Sequence, residues 1–175
     1  MSSAPSSPKA TITFRWLPPP TGWVKVNFDR ATFKEKSLAG LGCIIRNEKG
    51  LVMAAFTQII PLPTLVEMVE VLAMRSAIGF AQELSLDQVI LEGDSETIIR
   101  VLSRGGWDSS SLGHIFKDIN FFSSVFQSLS FCHTRRQGDR VAHRLARLAC
   151  KFSQFHVWMD EIPPDIESLY LSDIF

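Results

Sequence analysis

The sequence predicts an α/β domain built around a mixed sheet, and three observations predict it. Strand-like runs of period two fill the first third of the chain, a long segment of helical period follows, and strand-like and helix-like segments then alternate. At 175 residues, 46% hydrophobic and 21% charged, the chain has apolar material for one buried core and too much of it for a disordered segment. Three carboxylates, Asp29, Glu70 and Asp94, stand where that order of elements brings side chains to one end of the sheet.

Residues 1–15 are Ser/Pro-rich and are expected to form a flexible tail, with the folded domain occupying 16–175. Trp16-Leu17-Pro18-Pro19-Pro20 makes a stiff lead-in, because prolines supply no ladder donors. The first strand, over 24–29, alternates Val24, Val26 and Phe28 with Lys25, Asn27 and Asp29, which puts Asp29 at its end on the face opposite the apolar trio. Strands over 39–46 and 51–57 flank Asn47-Glu48-Lys49-Gly50, whose Asn and Gly favour a tight turn, and the three strands read as an antiparallel meander. Pro61 and Pro63 end that part, and a helix over 65–84 carries the apolar stripe Val66, Val69, Ala73, Ala77, Phe80 and Leu84. A strand over 88–93 leads into a short helix ending near Leu102, where Ser95 suits the N-cap and Glu96 the positive helix end. After a turn region at 103–107 come a helix over 112–126, a strand over 129–134 and a terminal helix over 139–152.

The formal net charge of zero gives no global pull toward nucleic acid, so binding of that kind needs a local patch. Residues 135–151 supply one: Arg135, Arg136, Arg140, Arg144, Arg147 and Lys151 against the single Asp139. Arg140, Arg144, Arg147 and Lys151 follow at spacings of four, three and four and share one helical face, opposite Val141, Leu145, Leu148 and Phe152. A solvated surface stripe has the same pattern, and a phosphate backbone is the partner such point charges would hold. Cys43, Cys132 and Cys150 form an odd set without metal-ligand spacing and read as reduced, mostly buried thiols, which excludes zinc and a disulfide framework. No apolar run approaches the ~20 residues that span a bilayer. The N-terminal Ser/Pro run lacks the apolar core of a signal peptide, so the expectation is an intracellular protein, cytoplasmic or nuclear and not secreted.

Glu70 lies beside Val69 and Ala73 on the apolar stripe, where a carboxylate is costly to bury unless it is paired or holds a metal. An Arg or Lys at the rim is its ordinary partner, and Asp94 taken alone is equally at home in a helix cap. Taken together, three converging acids make a divalent-metal site, because hard ions such as Mg²⁺ take oxygen ligands and clustered carboxylates need a cation to stay ionised at neutral pH. Where a fourth acid would be expected, in Ala142-His143-Arg144-Leu145-Ala146, stands His143.

The ordered set Trp16-Leu17-Pro18-Pro19-Pro20, Lys25-Val26-Asn27-Phe28-Asp29, Ala39-Gly40-Leu41-Gly42 through Gly50, Glu70-Val71-Leu72-Ala73-Met74-Arg75, Leu91-Glu92-Gly93-Asp94-Ser95 and Val141-Ala142-His143-Arg144-Leu145-Ala146 resembles the plant-type ribonuclease H-like domain. That family is related to ribonuclease H type 1 and to the ribonuclease H of reverse transcriptases. The resemblance covers about residues 16–170 and implies a five-stranded mixed sheet of order 3-2-1-4-5 flanked by helices. It implies catalytic roles for Asp29, Glu70, Asp94 and His143, with Asp29, Glu70 and Asp94 as ligands of two Mg²⁺ or Mn²⁺ ions. One ion would activate the attacking water and the other stabilise the leaving 3′ oxygen. The implied substrate is the RNA strand of an RNA/DNA hybrid, and the basic patch, through Arg136, Arg140, Arg144, Arg147 and Lys151, is what is expected to hold it.

Three departures bear on that transfer. A neutral imidazole at His143 supplies no charge and suits softer ions than magnesium. Arg30 follows Asp29 where the family usually has Gly, placing a bulky cation beside the site. The stretch from Arg104 to Leu112 is short and weakly basic, so the extra hybrid-gripping helix of some members is expected to be absent. His133, six residues before Asp139, is similar by spacing to the family's product-release histidine, although it falls at a strand end. The expectation is therefore a metal-dependent endoribonuclease weakened by His143. The alternative is a catalytically inactive ribonuclease H-like module that binds nucleic acid or protein; a free-standing protein and a retroelement fragment both fit the chain.

Overall fold

The computed structural model describes residues 15–103, 112–152 and 154–175. The expected tail up to residue 14, the turn beyond Ser103 and the stretch 104–111 lie outside the described residues. Arg15, assigned to the tail on composition, is described and donates a 3.4 Å bond to the Asp173 carbonyl.

A meander of β1 (Val24–Phe33), β2 (Leu38–Arg46) and β3 (Val52–Pro61) opens the fold. Asn47 closes the β2–β3 turn by accepting the Lys49 and Leu51 amides on its side chain, and Gly50 takes the left-handed conformation at φ 78°. Helix α1 (Glu67–Glu83) crosses to β4 (Gln88–Gly93), which runs parallel to β1; α2 (Glu96–Ser103) and α3 (Gly113–Ser123) precede β5 (Ser128–His133), which runs parallel to β4. Helix α4 (Arg140–Leu148), β6 (Phe155–Met159) and α5 (Glu167–Ile174) complete the described chain.

Among the described residues the sheet has six strands in the order β5-β4-β1-β2-β3-β6, which corrects the expected five. The five anticipated strands do lie in the anticipated order. The extra one arises because α4 stops at Leu148 in a short 3-10 turn, freeing Phe155–Met159 to pair antiparallel with β3 and cover its edge. The same early stop takes Lys151 out of the α-helical face expected over 139–152. Strand β1 also runs four residues beyond Asp29, because β2 keeps pairing with it as far as Phe33 and Leu38. Asp29 is thus interior to its strand.

One face of the sheet buries Val26, Phe28, Leu41, Cys43, Ile45 and Phe56 against Val69, Ala73, Ala77 and Phe80 of α1, with α3 behind. The other face packs Ile44 and Ala55 against Val141, Leu145 and Leu148 of α4 and Ile166. Helix α4 comes close enough because β2 carries Gly40 and Gly42 beneath it. A Cβ on Gly40 would overlap the Ala146 carbonyl oxygen, and one on Gly42 would overlap the Ala142 carbonyl and the Ala146 amide. Since Gly42 is the register partner of Asp29, this contact is what sets α4 beside the acid.

The alternation in β1 therefore has a different meaning from a core face and a solvent face. Lys25, Asn27 and Asp29 are all buried: Trp16 and Leu17 cover Lys25 and Asn27, and His143 of α4 covers Asp29. Asn27 donates to Glu92 and accepts from the Trp16 indole and, at 3.4 Å, from Arg46, while Lys25 pairs with Glu92 at 3.3 Å. Arg46, fully buried, stacks on Trp16 at 4.0 Å and pairs with Asp173 of α5 at 2.9 Å. Such a layer is tolerable because nearly every charge in it has an opposite charge and a hydrogen bond.

Candidate metal centre

Three backbone relationships bring the acids together. Asp29 sits on β1; Asp94 follows β4, two residues past Glu92, and Glu92 is paired with Asn27, itself two residues before Asp29. Glu70 lies in the first turn of α1, where the positive helix end favours an acid. Each of Asp29, Glu70 and Asp94 offers a carboxylate oxygen within 4.8 Å of the others. Asp29 and Glu70 are buried and Asp94 is half-buried.

The acids floor a cleft of about 210 Å³ whose other lining includes Arg30, Arg136, His143 and Arg147. Each acid meets one of these. His143 Nδ1 lies 2.7 Å from Asp29 Oδ2, Arg30 Nε lies 2.9 Å from Glu70 Oε2, and Arg136 Nε lies 4.0 Å from Asp94 Oδ2. A carboxylate oxygen only accepts, so the Asp29 contact fixes the proton on His143 Nδ1 and leaves Nε2 as the remaining donor atom for a metal or a water.

Burial, then the charges of Asp29 and Asp94, push the Glu70 carboxyl up to about 7, against the lowering effect of Arg30. Asp94 is likewise raised, by burial and then by Asp29, with Arg136, His143 and Arg30 opposing. The Arg30 bond to Glu70 is good, yet it does not offset desolvation plus two neighbouring acids. Behind the site, Asp139 is fully buried, and burial followed by Asp29, Asp94 and Glu92 holds its carboxyl well above the usual carboxylate range, against the lowering effect of Asn27.

The donor set fits a hard divalent ion. Its atoms are carboxylate oxygens within 4.8 Å of one another, and Glu70 Oε1 is buried without a hydrogen-bond partner among the described residues, an acceptor that a cation would satisfy. The thiols stand apart from this chemistry: Cys43 is buried, Cys132 and Cys150 are half-buried, and all are free.

The basic residues separate into two groups. Arg136 and Arg147 line the acidic cleft, Arg147 with its guanidinium 5.6 Å from the Phe33 ring, and Arg144 is exposed. Arg140 is instead held by Asp173 at 3.2 Å and by Ser172, and Lys151 lies 3.4 Å from Asp165. Sequence reasoning placed the acids and His143 but missed that acids near the C-terminus neutralise part of the stripe. The signal was there only as Asp165 and Asp173 in an unassigned segment. His133 closes β5 opposite Gly93, at the same sheet end as Asp94, and is exposed.

Comparison with known proteins agrees with this fold. A family model described as reverse transcriptase-like matches residues 27–149. A protein of Arabidopsis thaliana, provisionally named a ribonuclease H protein, is 29% identical over 168 residues, covering 96% of this chain. The chain spans 27% of that relative's length. Ribonuclease H1 of the archaeon Halobacterium salinarum superposes with a TM-score of 0.66 at 24% identity, covering 74% of this chain and 98% of its own. A ribonuclease H1 isolated from compost and solved with an RNA/DNA hybrid gives 0.64 at 22%, covering 73% and 96%. A foamy viral protease-reverse transcriptase solved with double-stranded DNA gives 0.56 at 16%, covering 73% and 92%. These structures share the ribonuclease H-like fold with the chain.

Proposed function

The chain belongs to the reverse transcriptase-like family, and on that premise we propose that residues 16–175 form one ribonuclease H-like domain that hydrolyses the RNA strand of RNA/DNA hybrids with divalent-metal help. The observation that carries this reading is the convergence of Asp29, Glu70 and Asp94, with Glu70 Oε1 left without a hydrogen-bond partner among the described residues. Mg²⁺ or Mn²⁺, two ions in the active form, would be held by these three acids and would supply a polarised water and charge neutralisation at the phosphate.

The chain's own residues supply the rest. Arg136 and Arg147, at the rim of the cleft, are placed to bind backbone phosphates, and Arg144 extends that surface. His143, with its Nδ1 proton directed to Asp29, orients that carboxylate and offers Nε2 to the cleft chemistry. Arg140 acts at one remove, tying α4 to α5 through Asp173. Nucleic acid is the partner of this reading, and an intracellular setting suits such a substrate. Among the described residues no helix is long and apolar enough to cross a membrane.

The test is cleavage of a hybrid labelled on its RNA strand, with Mg²⁺ and with Mn²⁺, by wild type and Asp94→Asn. RNA-strand cleavage by wild type alone supports the reading. Wild type inert with both ions, in a preparation that still binds the hybrid, would overturn hydrolysis and leave a module that binds nucleic acid.

A further inference from the structure

We propose that Arg30 is a displaceable internal counter-ion: it holds Glu70 in the metal-free protein and exchanges that carboxylate for a backbone phosphate when nucleic acid binds, so that metal and nucleic acid reinforce each other's binding. This deepens the metal-site reading and rests on it.

The geometry points to exchange in three ways. Arg30 Nε lies 2.9 Å from Glu70 Oε2, on one of the acids available to a metal, while Glu70 Oε1 has no hydrogen-bond partner among the described residues. The carboxylate is thus half-satisfied, which is a poor resting place for a buried acid and a good one for an ion that bridges it to Asp29 and Asp94. The Arg30 side chain is 37% exposed against 9% for Glu70, so the cation is able to swing outward while the acid stays in place. Its bond uses Nε, leaving the two terminal guanidinium nitrogens outside the contact, and those form the fork that matches a phosphate. Arg136 and Arg147 line the same cleft, so a phosphate there would meet Arg30 among other cations.

A ligand that removes a competitor from a second ligand's site raises that ligand's affinity, and by linkage the effect is mutual. Without nucleic acid, Arg30 competes with the metal for Glu70. With nucleic acid bound, the phosphate takes the guanidinium and the competition ends.

The experiment is calorimetric titration of Mn²⁺ into the full chain, as wild type, Arg30→Gln, Arg30→Lys and Asp94→Asn, each with and without a DNA duplex that a ribonuclease leaves intact. Arg30→Gln should bind Mn²⁺ about fivefold tighter than wild type in the absence of duplex, as expected for loss of one partly exposed ion pair. The duplex should tighten Mn²⁺ binding in wild type and in Arg30→Lys, which keeps the charge, and have little effect in Arg30→Gln. Equal affinities for wild type and Arg30→Gln, with binding abolished in Asp94→Asn, would overturn the exchange and leave the metal site standing. Tighter binding by Arg30→Gln with the duplex effect undiminished would also overturn it. Absence of Mn²⁺ binding in every variant would overturn both the exchange and the metal site.

Discussion

His143 and Asp29 are 114 residues apart in sequence, and their Nδ1 and Oδ2 atoms are 2.7 Å apart in the fold. The imidazole lies on α4, the carboxylate inside β1, and the two glycines of β2 beneath α4 close the gap between them. The residue that stands where a fourth acid is expected meets the first acid through Nδ1 and keeps Nε2 for the cleft.

Replacing that donor changes the charge of the cleft. His143→Asp adds a carboxylate beside Asp29, so divalent-ion affinity and Mg²⁺-dependent hybrid cleavage should rise, while the metal-free protein loses stability through added repulsion. Wild type should perform relatively better with Mn²⁺, which accepts imidazole more readily. Cleavage rates with the two ions, and unfolding midpoints without either, measure both effects. A variant no better than wild type in Mg²⁺ would separate His143 from the metal chemistry.

The raised Glu70 sets a pH dependence. Its carboxyl rises from an ordinary 4.5 to about 7 in the folded chain, so the native state binds this proton more tightly than the unfolded state does. Stability from that proton is full below the unfolded value and is lost as pH rises through the folded one, by something on the order of 3 kcal/mol for this group. Mg²⁺ binds the ionised cluster, so the upward shift of the unfolding midpoint with Mg²⁺ should be larger near pH 8 than near pH 5.5. Thermal unfolding across that range with and without Mg²⁺ checks the sign, and an equal shift at both ends would contradict the cluster as the binding site.

Close packing of α4 on β2 predicts a cost at Gly42. In Gly42→Ala the new methyl meets backbone atoms of Ala142 and Ala146, which lack the freedom of a side-chain end. We expect a loss of about 3 kcal/mol of stability, at the upper end for overpacking. Because α4 must shift, His143 should also separate from Asp29, and the Mg²⁺ effect on the unfolding midpoint should change with it. Denaturant unfolding and the Mg²⁺ response read the two consequences independently.

Among the cations, position decides function. Arg136→Ala with Arg147→Ala should weaken duplex binding and flatten its dependence on the logarithm of salt concentration by about two units at most. Arg140→Ala, by contrast, should lower stability and leave the salt slope unchanged, because that guanidinium is engaged with Asp173. Binding at several salt concentrations distinguishes the pairs, and an equal slope in all variants would make the rim ordinary solvated surface.

What the chain determined locally was legible without a structure. The strands of the meander, the Asn47 turn and the stripe of α1 from Val69 to Phe80 follow from residue order, because they depend on neighbours a few positions away, whereas Val66 lies outside α1 and is exposed, and Asp29 is interior to β1 instead of at its end. The order of the five anticipated strands came from resemblance and holds. Tertiary structure alone decided what depends on partners far along the chain. Lys25, Asn27 and Asp29 look like a solvent face until α4 and the Trp16–Leu17 segment cover them; Arg140 looks like a phosphate ligand until Asp173, 33 residues on, neutralises it. Arg30 is a neighbour of Asp29 in sequence, yet its partner is Glu70, 40 residues away. Burial and pairing are properties of three-dimensional neighbours, and they set the desolvation and charge that govern this site, so periodicity placed its acids while only packing decided which cation each would meet.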